Sequence, residues 1–144
     1  MIEDLVKQTR SFRRFNEHRK IPLETLKSLV DLGRLSASAA NRQPLKYILS
    51  CDPATNEKIF PCIGWAAYLK DWKGPETGER PAAYIIILGD TTISTEFWCD
   101  HGISGQSILL GATEKRVGRV LYRGHQQRPA SKGTGHCAGI SRSC

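Results

Sequence analysis

The chain lacks the features that mark membrane, metal-binding or disulfide-rich proteins. None of its 144 residues lies in an apolar run near the roughly 18 residues that a membrane span needs. The five cysteines are odd in number and include no C-x-x-C pair, which argues against a zinc site and a disulfide framework. The N-terminus opens as a helix and not as a signal peptide. We therefore expect a cytoplasmic protein without a metal and without a membrane anchor.

Acidic residues are missing from the last part of the chain. All 14 Asp and Glu fall within residues 1–114, which also hold 14 of the 21 Lys and Arg, so this part is neutral. The net charge of +7 therefore comes from the residues after 114, where Lys and Arg have no acidic counterpart. A basic domain would predict a nucleic-acid-binding surface. Here the positive charge belongs to the tail, so we do not favour nucleic-acid binding.

The patterns that are present predict one domain of helices and strands. Leucines at helical spacing predict a helix over residues 22–35, with Pro22 at its first position. Apolar runs predict strands over 47–51 and 82–88, the second of them buried on both faces. A segment rich in glycine, serine and alanine predicts a long helix over 95–115. Its small residues favour close packing against another helix or a second subunit, since helix propensity alone does not favour them.

A polar corner, Ser38–Pro44, joins the predicted helix to the strand that follows it. It reads Ser-Ala-Ala-Asn-Arg-Gln-Pro. Ser38, Asn41 and Gln43 each offer groups that can both donate and accept hydrogen bonds. Pro44 fixes its own φ and biases Gln43 away from the α region, so the corner should be rigid. Such a corner could bind a planar heterocycle with alternating donors and acceptors, although an ordinary helix-to-strand loop has the same composition.

Arginine and serine are concentrated in a second segment, which follows a short amphipathic helix predicted over residues 2–9. We call residues 10–13 the basic segment. Arg10, Ser11 and Arg13 supply two guanidinium groups and a hydroxyl, which suit the oxygens of a phosphate. Without further context, a solvated basic turn explains the same residues.

Both segments resemble motifs of the FMN-dependent nitroreductase family. The corner is similar to that family's P-S-x-x-N-x-Q-P segment, with Ala37 where the family usually has proline. Residues 9–15 (Thr-Arg-Ser-Phe-Arg-Arg-Phe) resemble its R-S-x-R-x-F box. Residues 100–106 (Asp-His-Gly-Ile-Ser-Gly-Gln) resemble the D-x-G-I-A-x-Q start of its long central helix. The three segments occur in the family's order and span most of residues 3–115.

The resemblance implies a fold, a cofactor and an activity. It implies an α+β nitroreductase-like fold, with helices around a central mixed, mostly antiparallel sheet, and an intertwined homodimer with FMN between its subunits. NAD(P)H would be the electron donor, and a nitroaromatic, a quinone or a related small molecule the acceptor. The basic segment would hold the phosphate and ribityl end of FMN, the corner would hold the ring and ribityl edge, and no side chain would act as an acid or base. The cofactor-binding residues implied are Arg10, Ser11, Arg13, Ser38, Asn41 and Gln43.

Three aromatic residues lie in an irregular stretch, residues 61–81. Trp65, Tyr68 and Trp72 could line a substrate pocket above a flavin, or they could anchor this loop onto the core. The sequence leaves both interpretations open.

The resemblance ends at residue 115, so we expect a partial nitroreductase-like domain over residues 1–115 and an atypical basic tail over 116–144. Members of the family usually continue with a glycine-rich G-L-G-G turn, a strand, a helix and a final strand. Codons for residues 116–124 can be chosen so that a one-base shift reads G-L-G-G-C-C-I-G, and the shift carries on to the end. We hypothesise a frameshift near codon 116 that leaves the sheet incomplete at the C-terminus. The alternatives are an inactive, truncated flavin-fold fragment and a native, disordered basic tail that binds nucleic acid.

Overall fold

The computed structural model of the chain describes residues 1–66 and 68–122. Its helices and strands, in chain order, are α1 (Ile2–Gln8), α2 (Leu23–Arg34), β1 (Leu45–Ser50), α3 (Pro53–Ile59), β2 (Tyr84–Gly89) and α4 (Asp100–Glu114). Two short 3-10 turns occupy Ala39–Asn41 and Phe60–Cys62. Most of the predicted basic tail, residues 123–144, lies outside the described residues.

The two strands form an antiparallel pair. Leu45 lies opposite Gly89 and Ser50 lies opposite Tyr84. Every residue of β2 is half-buried, so the prediction of a strand buried on both faces is wrong for the structure described. Full burial of a strand requires covering on both faces and usually strands on both sides. The described part of the chain gives β2 one neighbouring strand, β1.

The core lies where α2 packs against α4. Its buried centre is formed by Leu29, Ile108 and Ala112, and half-buried side chains from both strands and from the third residue after α4 pack against it: Tyr47, Ile85, Ile87 and Val117. The helices approach closely because α4 carries glycine at the contact. A Cβ on Gly111 would lie 2.3 Å from Cδ1 of Leu32. Close helix packing of the small residues in α4 is thus confirmed within the chain.

The predicted helix limits are partly correct. The helix expected over 22–35 is found at Leu23–Arg34, but Pro22 lies just before it with an extended backbone (φ −62°, ψ 142°). The helix expected from residue 95 begins only at Asp100, because a turn precedes it in which the amide of Asp100 donates to the carbonyl of Phe97 at 3.0 Å. Strand β1 starts at Leu45, two residues earlier than predicted.

Helix α1 has the predicted position, but two of its three apolar side chains are exposed, and the third, Leu5, is half-buried. Ile2 is 71% exposed and Val6 is 52% exposed. The helix is attached to α4 by a hydrogen bond, 2.7 Å long, between the hydroxyls of Thr9 and Thr113.

Trp65 is the centre of an aromatic cluster that holds the irregular loop. Its ring lies 5.2 Å from Phe60, 6.2 Å from Trp72 and 4.6 Å from Tyr122, measured between centroids. Tyr68, by contrast, is 98% exposed. Two of the three predicted aromatics therefore anchor the loop, and the described contacts favour that interpretation over a substrate pocket.

No helix among the described residues is both long enough and apolar enough to cross a membrane. Nor do residues 1–66 and 68–122 contain a group of three or more potential metal ligands.

Candidate functional site

The corner has an unusual backbone. Ala40, Asn41 and Gln43 have φ values of 50°, 53° and 51°, although none of them is glycine. A left-handed conformation is disfavoured for residues with a Cβ, and such conformations concentrate at functional sites where the surroundings enforce them. Three of the four consecutive residues 40–43 therefore have a backbone conformation that residues with a Cβ rarely adopt.

A buried carboxylate is hydrogen-bonded to this corner. Asp100, in the first turn of α4, accepts hydrogen bonds from the Ser38 hydroxyl at 2.6 Å and from the Ala39 amide at 3.0 Å. The Ser38 oxygen in turn accepts a hydrogen bond from the Gln43 amide at 2.9 Å. The hydroxyl proton of Ser38 is thus already used in the hydrogen bond to Asp100.

The corner is also fixed to the sheet at its far end. Pro44 is fully buried, and its carbonyl accepts a hydrogen bond from the Asp90 amide at 2.7 Å. Arg42 adds a longer contact, 3.4 Å, from its guanidinium to the hydroxyl of Ser94. Both ends of the corner are therefore held by residues far away in sequence.

The amide side chains of the corner point outward and are joined. Gln43 donates from Nε2 to Oδ1 of Asn41 at 2.8 Å, and both residues are exposed. This leaves the amide N–H groups of Asn41 and the carbonyl oxygen of Gln43 available to a ligand. The pair offers donors and an acceptor on one exposed edge, which suits the edge of a planar heterocycle.

The basic segment is exposed and available. Arg10, Ser11 and Arg13 are exposed, and within the described residues their side chains make no hydrogen bond or ion pair. Phe12 lies between Ser11 and Arg13 in the sequence, and its amide donates a hydrogen bond of 3.0 Å to the carbonyl of Arg119. Just after this segment, the amide of Phe15 donates a hydrogen bond of 2.9 Å to the carbonyl of Glu79 in the irregular loop. Main-chain bonds thus fix the segment while its polar side chains remain free.

Arg119 supports the basic segment from the protein side. Its Nη2 donates to the carbonyl of Gln8 at 2.6 Å, and its guanidinium lies 5.2 Å from the centre of the Phe12 ring. Burial lowers the pKa of this guanidinium. Burial also raises the pKa of the Tyr122 hydroxyl, and the positive charge of Arg13 opposes that rise. Both Arg119 and Tyr122 follow the limit predicted for the domain.

The structure brings the predicted site residues together as two groups. Ser38, Asn41 and Gln43 are connected by hydrogen bonds, and the basic segment forms a separate group. No hydrogen bond or ion pair among the described residues joins the two groups. Each group is one part of a possible binding site.

A match to the sequence model of a protein family identifies the family of this chain. The model of the nitroreductase family matches residues 6–128, which include the basic segment, the corner and the start of α4. The chain belongs to the nitroreductase family. This confirms the resemblance found in the three sequence motifs.

Solved structures from the nitroreductase family share the fold. A provisionally named NADH dehydrogenase/NAD(P)H nitroreductase from Parabacteroides distasonis is 21% identical, with a TM-score of 0.62 over 78% of this chain and 62% of its own. A nitroreductase with bound FMN from Bacteroides fragilis is 16% identical, with a TM-score of 0.59 over 79% and 65%. An FMN-dependent nitroreductase from Clostridium difficile is 18% identical, with a TM-score of 0.58 over 78% and 55%.

These matches confirm the α+β nitroreductase-like fold. The chain spans less than two thirds of the length of each of the three proteins. No curated protein matches the chain.

The sequence pattern predicts no role for two residues that support the site. Asp100 was recognised as part of a motif, and Arg119 was placed in the tail, outside the domain. A single acidic residue in the first turn of a small-residue helix was the available signal for Asp100. Its partners, 62 and 61 residues away, could not be read from the sequence.

Proposed function

We propose that this protein is an FMN-dependent oxidoreductase of the nitroreductase type. The observation that carries the proposal is the exposed Asn41–Gln43 amide pair on a corner held in a left-handed backbone. Two of the solved structures that share its fold are named for FMN, as bound ligand or as required cofactor. The family match and the chemistry of the corner thus favour the same ligand.

The residues present fit the two ends of FMN. The corner amides offer donors and an acceptor, which match the polar edge of a flavin ring. Ser38 remains in the proposed site, but because its proton is committed to Asp100, we assign it to holding the corner and to accepting at most one further hydrogen bond. Arg10, Ser11 and Arg13 have groups without a hydrogen-bond or ion-pair partner in the described part of the chain, and these groups suit the phosphate and ribityl end.

In a homodimer, the basic segment and the corner could together form one FMN site. The basic segment and the corner are not linked within the described chain, and a site between two subunits would allow each subunit to supply one of them. The exposed apolar residues Ile2 and Val6 of α1 are available for such a contact. We infer a cytoplasmic homodimer, in which NAD(P)H is accessible as the donor.

The chemistry comes from the cofactor, and the protein contributes binding and electrostatics. The chemistry that FMN would supply when bound is hydride transfer from NAD(P)H and reduction of a nitroaromatic, a quinone or a related small acceptor. The donors of the Asn41 amide would face negative charge that develops on the polar edge of the ring, where fixed donors stabilise it. No side chain of the corner or of the basic segment is assigned as an acid or base.

The test is the absorption spectrum of the purified chain after FMN is added and the excess is removed by gel filtration. We expect flavin absorbance at the elution volume of a dimer, and its bleaching by NADH or NADPH. The double variant N41A/Q43A should lose the flavin. The control Q8A, which removes another exposed side-chain amide, from α1, should retain it. A colourless wild-type chain would instead indicate an inactive flavin-fold fragment.

We also propose a frameshift near codon 116 and a domain boundary at residue 115. The sequence of the coding DNA tests the frameshift directly. We expect a single inserted or deleted base after which the alternative frame encodes the G-L-G-G turn. Related genes that encode residues 116–144 in their undisturbed frame would contradict it, and salt-sensitive binding of DNA would then favour a nucleic-acid-binding tail.

A further inference from the structure

Asp100 is a buried carboxylate whose side-chain hydrogen-bond partners, among the described residues, all come from the corner. It is 3% exposed, and no ion pair involves it within the part of the chain that the structure describes. Burial of a carboxylate is costly unless hydrogen bonds compensate for it. The Ser38 hydroxyl and the Ala39 amide supply these bonds, and the position in the first turn of α4 adds the favourable end of the helix dipole.

The interaction continues from Asp100 to the strained part of the corner. A carboxylate can only accept, so the Ser38 hydroxyl must donate to it and its oxygen is oriented to accept elsewhere. That oxygen accepts the amide of Gln43, whose φ of 51° an isolated glutamine would disfavour. A hydroxyl that lost its acceptor could rotate and leave the Gln43 amide. The orientation of Ser38 therefore depends on Asp100.

We propose that Asp100 is the positioning residue for the corner. It fixes the Ser38 hydroxyl, and Ser38 fixes the Gln43 amide, so that the side chains of Asn41 and Gln43 face outward as one recognition edge. Asp100 thereby connects α4 to this edge without touching a ligand itself. The functional meaning of this inference rests on the proposed FMN site.

The first test measures amide hydrogen exchange by NMR on the full chain without FMN. The substitution D100N keeps the size of the side chain, but its amide group cannot accept from both corner donors. We expect D100N to speed the exchange of the Ala39 and Gln43 amides about tenfold or more, as for the loss of a hydrogen bond to a charged group. The control E24Q, which removes a first-turn carboxylate from α2, should leave both rates unchanged.

The double variant separates positioning from general destabilisation. In the S38A chain the Gln43 amide has already lost its acceptor, so D100N should add little to its exchange rate. S38T retains the hydroxyl and should keep the amide protected even if D100N folds poorly. Equal acceleration of Gln43 by D100N with and without S38A would overturn the proposal. So would acceleration that extends through Leu45–Ser50, because it would indicate a loss of general stability.

The second test measures the Kd for FMN by quenching of flavin fluorescence. S38A and D100N should each raise the Kd about tenfold, and the control E24Q should stay near the wild-type value. An unchanged Kd in S38A, together with faster exchange at Gln43, would show that the corner conformation does not serve the ligand. A wild-type chain that binds no FMN overturns the proposed function alone, and the exchange test still decides the positioning.

Discussion

At the scale of single residues, the clearest feature is left-handed backbone without glycine. Ala40 has a φ of 50° and an exposed side chain, whereas Asn41 belongs to a residue type that tolerates this region. The corner therefore retains a local cost at Ala40 that its surroundings offset. Because the backbone at Ala40 is locally unfavourable, the geometry of the corner is determined by the surrounding structure and not by local stability.

The substitution Ala40→Gly should stabilise the protein. Glycine adopts this φ without the Cβ clash, so we expect a gain of about 1 kcal/mol in the free energy of unfolding, measured by urea denaturation. The neighbouring Ala39 lacks a positive φ and is the matched control. Ala39→Gly should lower stability by about 0.4–1 kcal/mol, because it only adds freedom to the unfolded chain. Equal losses in both variants would mean that the Ala40 backbone carries no cost.

Tyr84, at the start of β2, should make stability sensitive to alkaline pH. Burial, with a smaller contribution from the charge of Glu17, raises its pKa from 10.0 to about 12. Between these values the unfolded chain loses a proton that the folded chain keeps, so the stability is complete below pH 10 and falls as the pH rises toward 12. We expect the Tm of wild type to fall more steeply over this range than that of Y84F. Parallel Tm profiles would contradict the raised pKa.

At the scale of elements, the contact between α2 and α4 depends on where α4 carries glycine. A Cβ on Gly111 would meet Leu32 and Leu29, whereas a Cβ on Gly102 would meet no atom of the described residues within 4 Å. The same residue type therefore has opposite roles on one helix. Gly111 permits close packing, and Gly102 only weakens the helix by its flexibility.

This contrast gives a matched pair of substitutions. Gly111→Ala should destabilise the protein by about 1–3 kcal/mol, because the added methyl group overpacks the helix contact. Gly102→Ala should stabilise it by about 0.5–1 kcal/mol through helix propensity. Urea denaturation at a single protein concentration measures both. If Gly102→Ala were the more harmful change, Gly102 would lie in a contact that one chain does not contain.

The elements differ in how well the sequence predicted them. The regular leucine spacing of α2 predicted both ends of the helix to within one residue, because side chains at that spacing bury one face of a helix. The burial of β2 was overestimated, since a continuous apolar run does not reveal how many neighbours the strand has. The start of α4 was placed too early, because the turn before it depends on Trp98 adopting a φ of 40°, for which tryptophan gives no signal.

The site was predicted by residue identity but not by geometry. Polar side chains near Pro44 indicated a rigid corner, and the family motifs assigned them to a cofactor. The left-handed backbone and the bond between Ser38 and Asp100 depend on a contact across 62 residues. Only the folded chain brings these residues together, so no local pattern could reveal which polar groups remain free for a ligand.

At the scale of the whole molecule, the residues just after α4 join three parts of the chain. Val117 packs on the core, Arg119 bonds to the end of α1 and supports Phe12, and Tyr122 contacts Trp65 of the irregular loop. The sequence placed all three in the atypical tail because their spacing has no helical or strand period. Their contacts instead tie them to the basic segment, on which the proposed phosphate site depends.

The substitution Arg119→Ala tests whether these contacts are part of the domain. It removes the hydrogen bond to Gln8 and the guanidinium beside Phe12, so we expect a loss of about 1–3 kcal/mol in the free energy of unfolding. Lys115→Ala is the control, because Lys115 is exposed and its side chain makes no described hydrogen bond, and it should change stability by at most about 0.5 kcal/mol. Urea denaturation of the full chain measures both. If the two losses were equal, the stable domain would end at residue 115, as the sequence predicts. A clear excess for Arg119→Ala would extend the domain beyond residue 115 and make the order of the basic segment depend on residues that the sequence assigned to the tail.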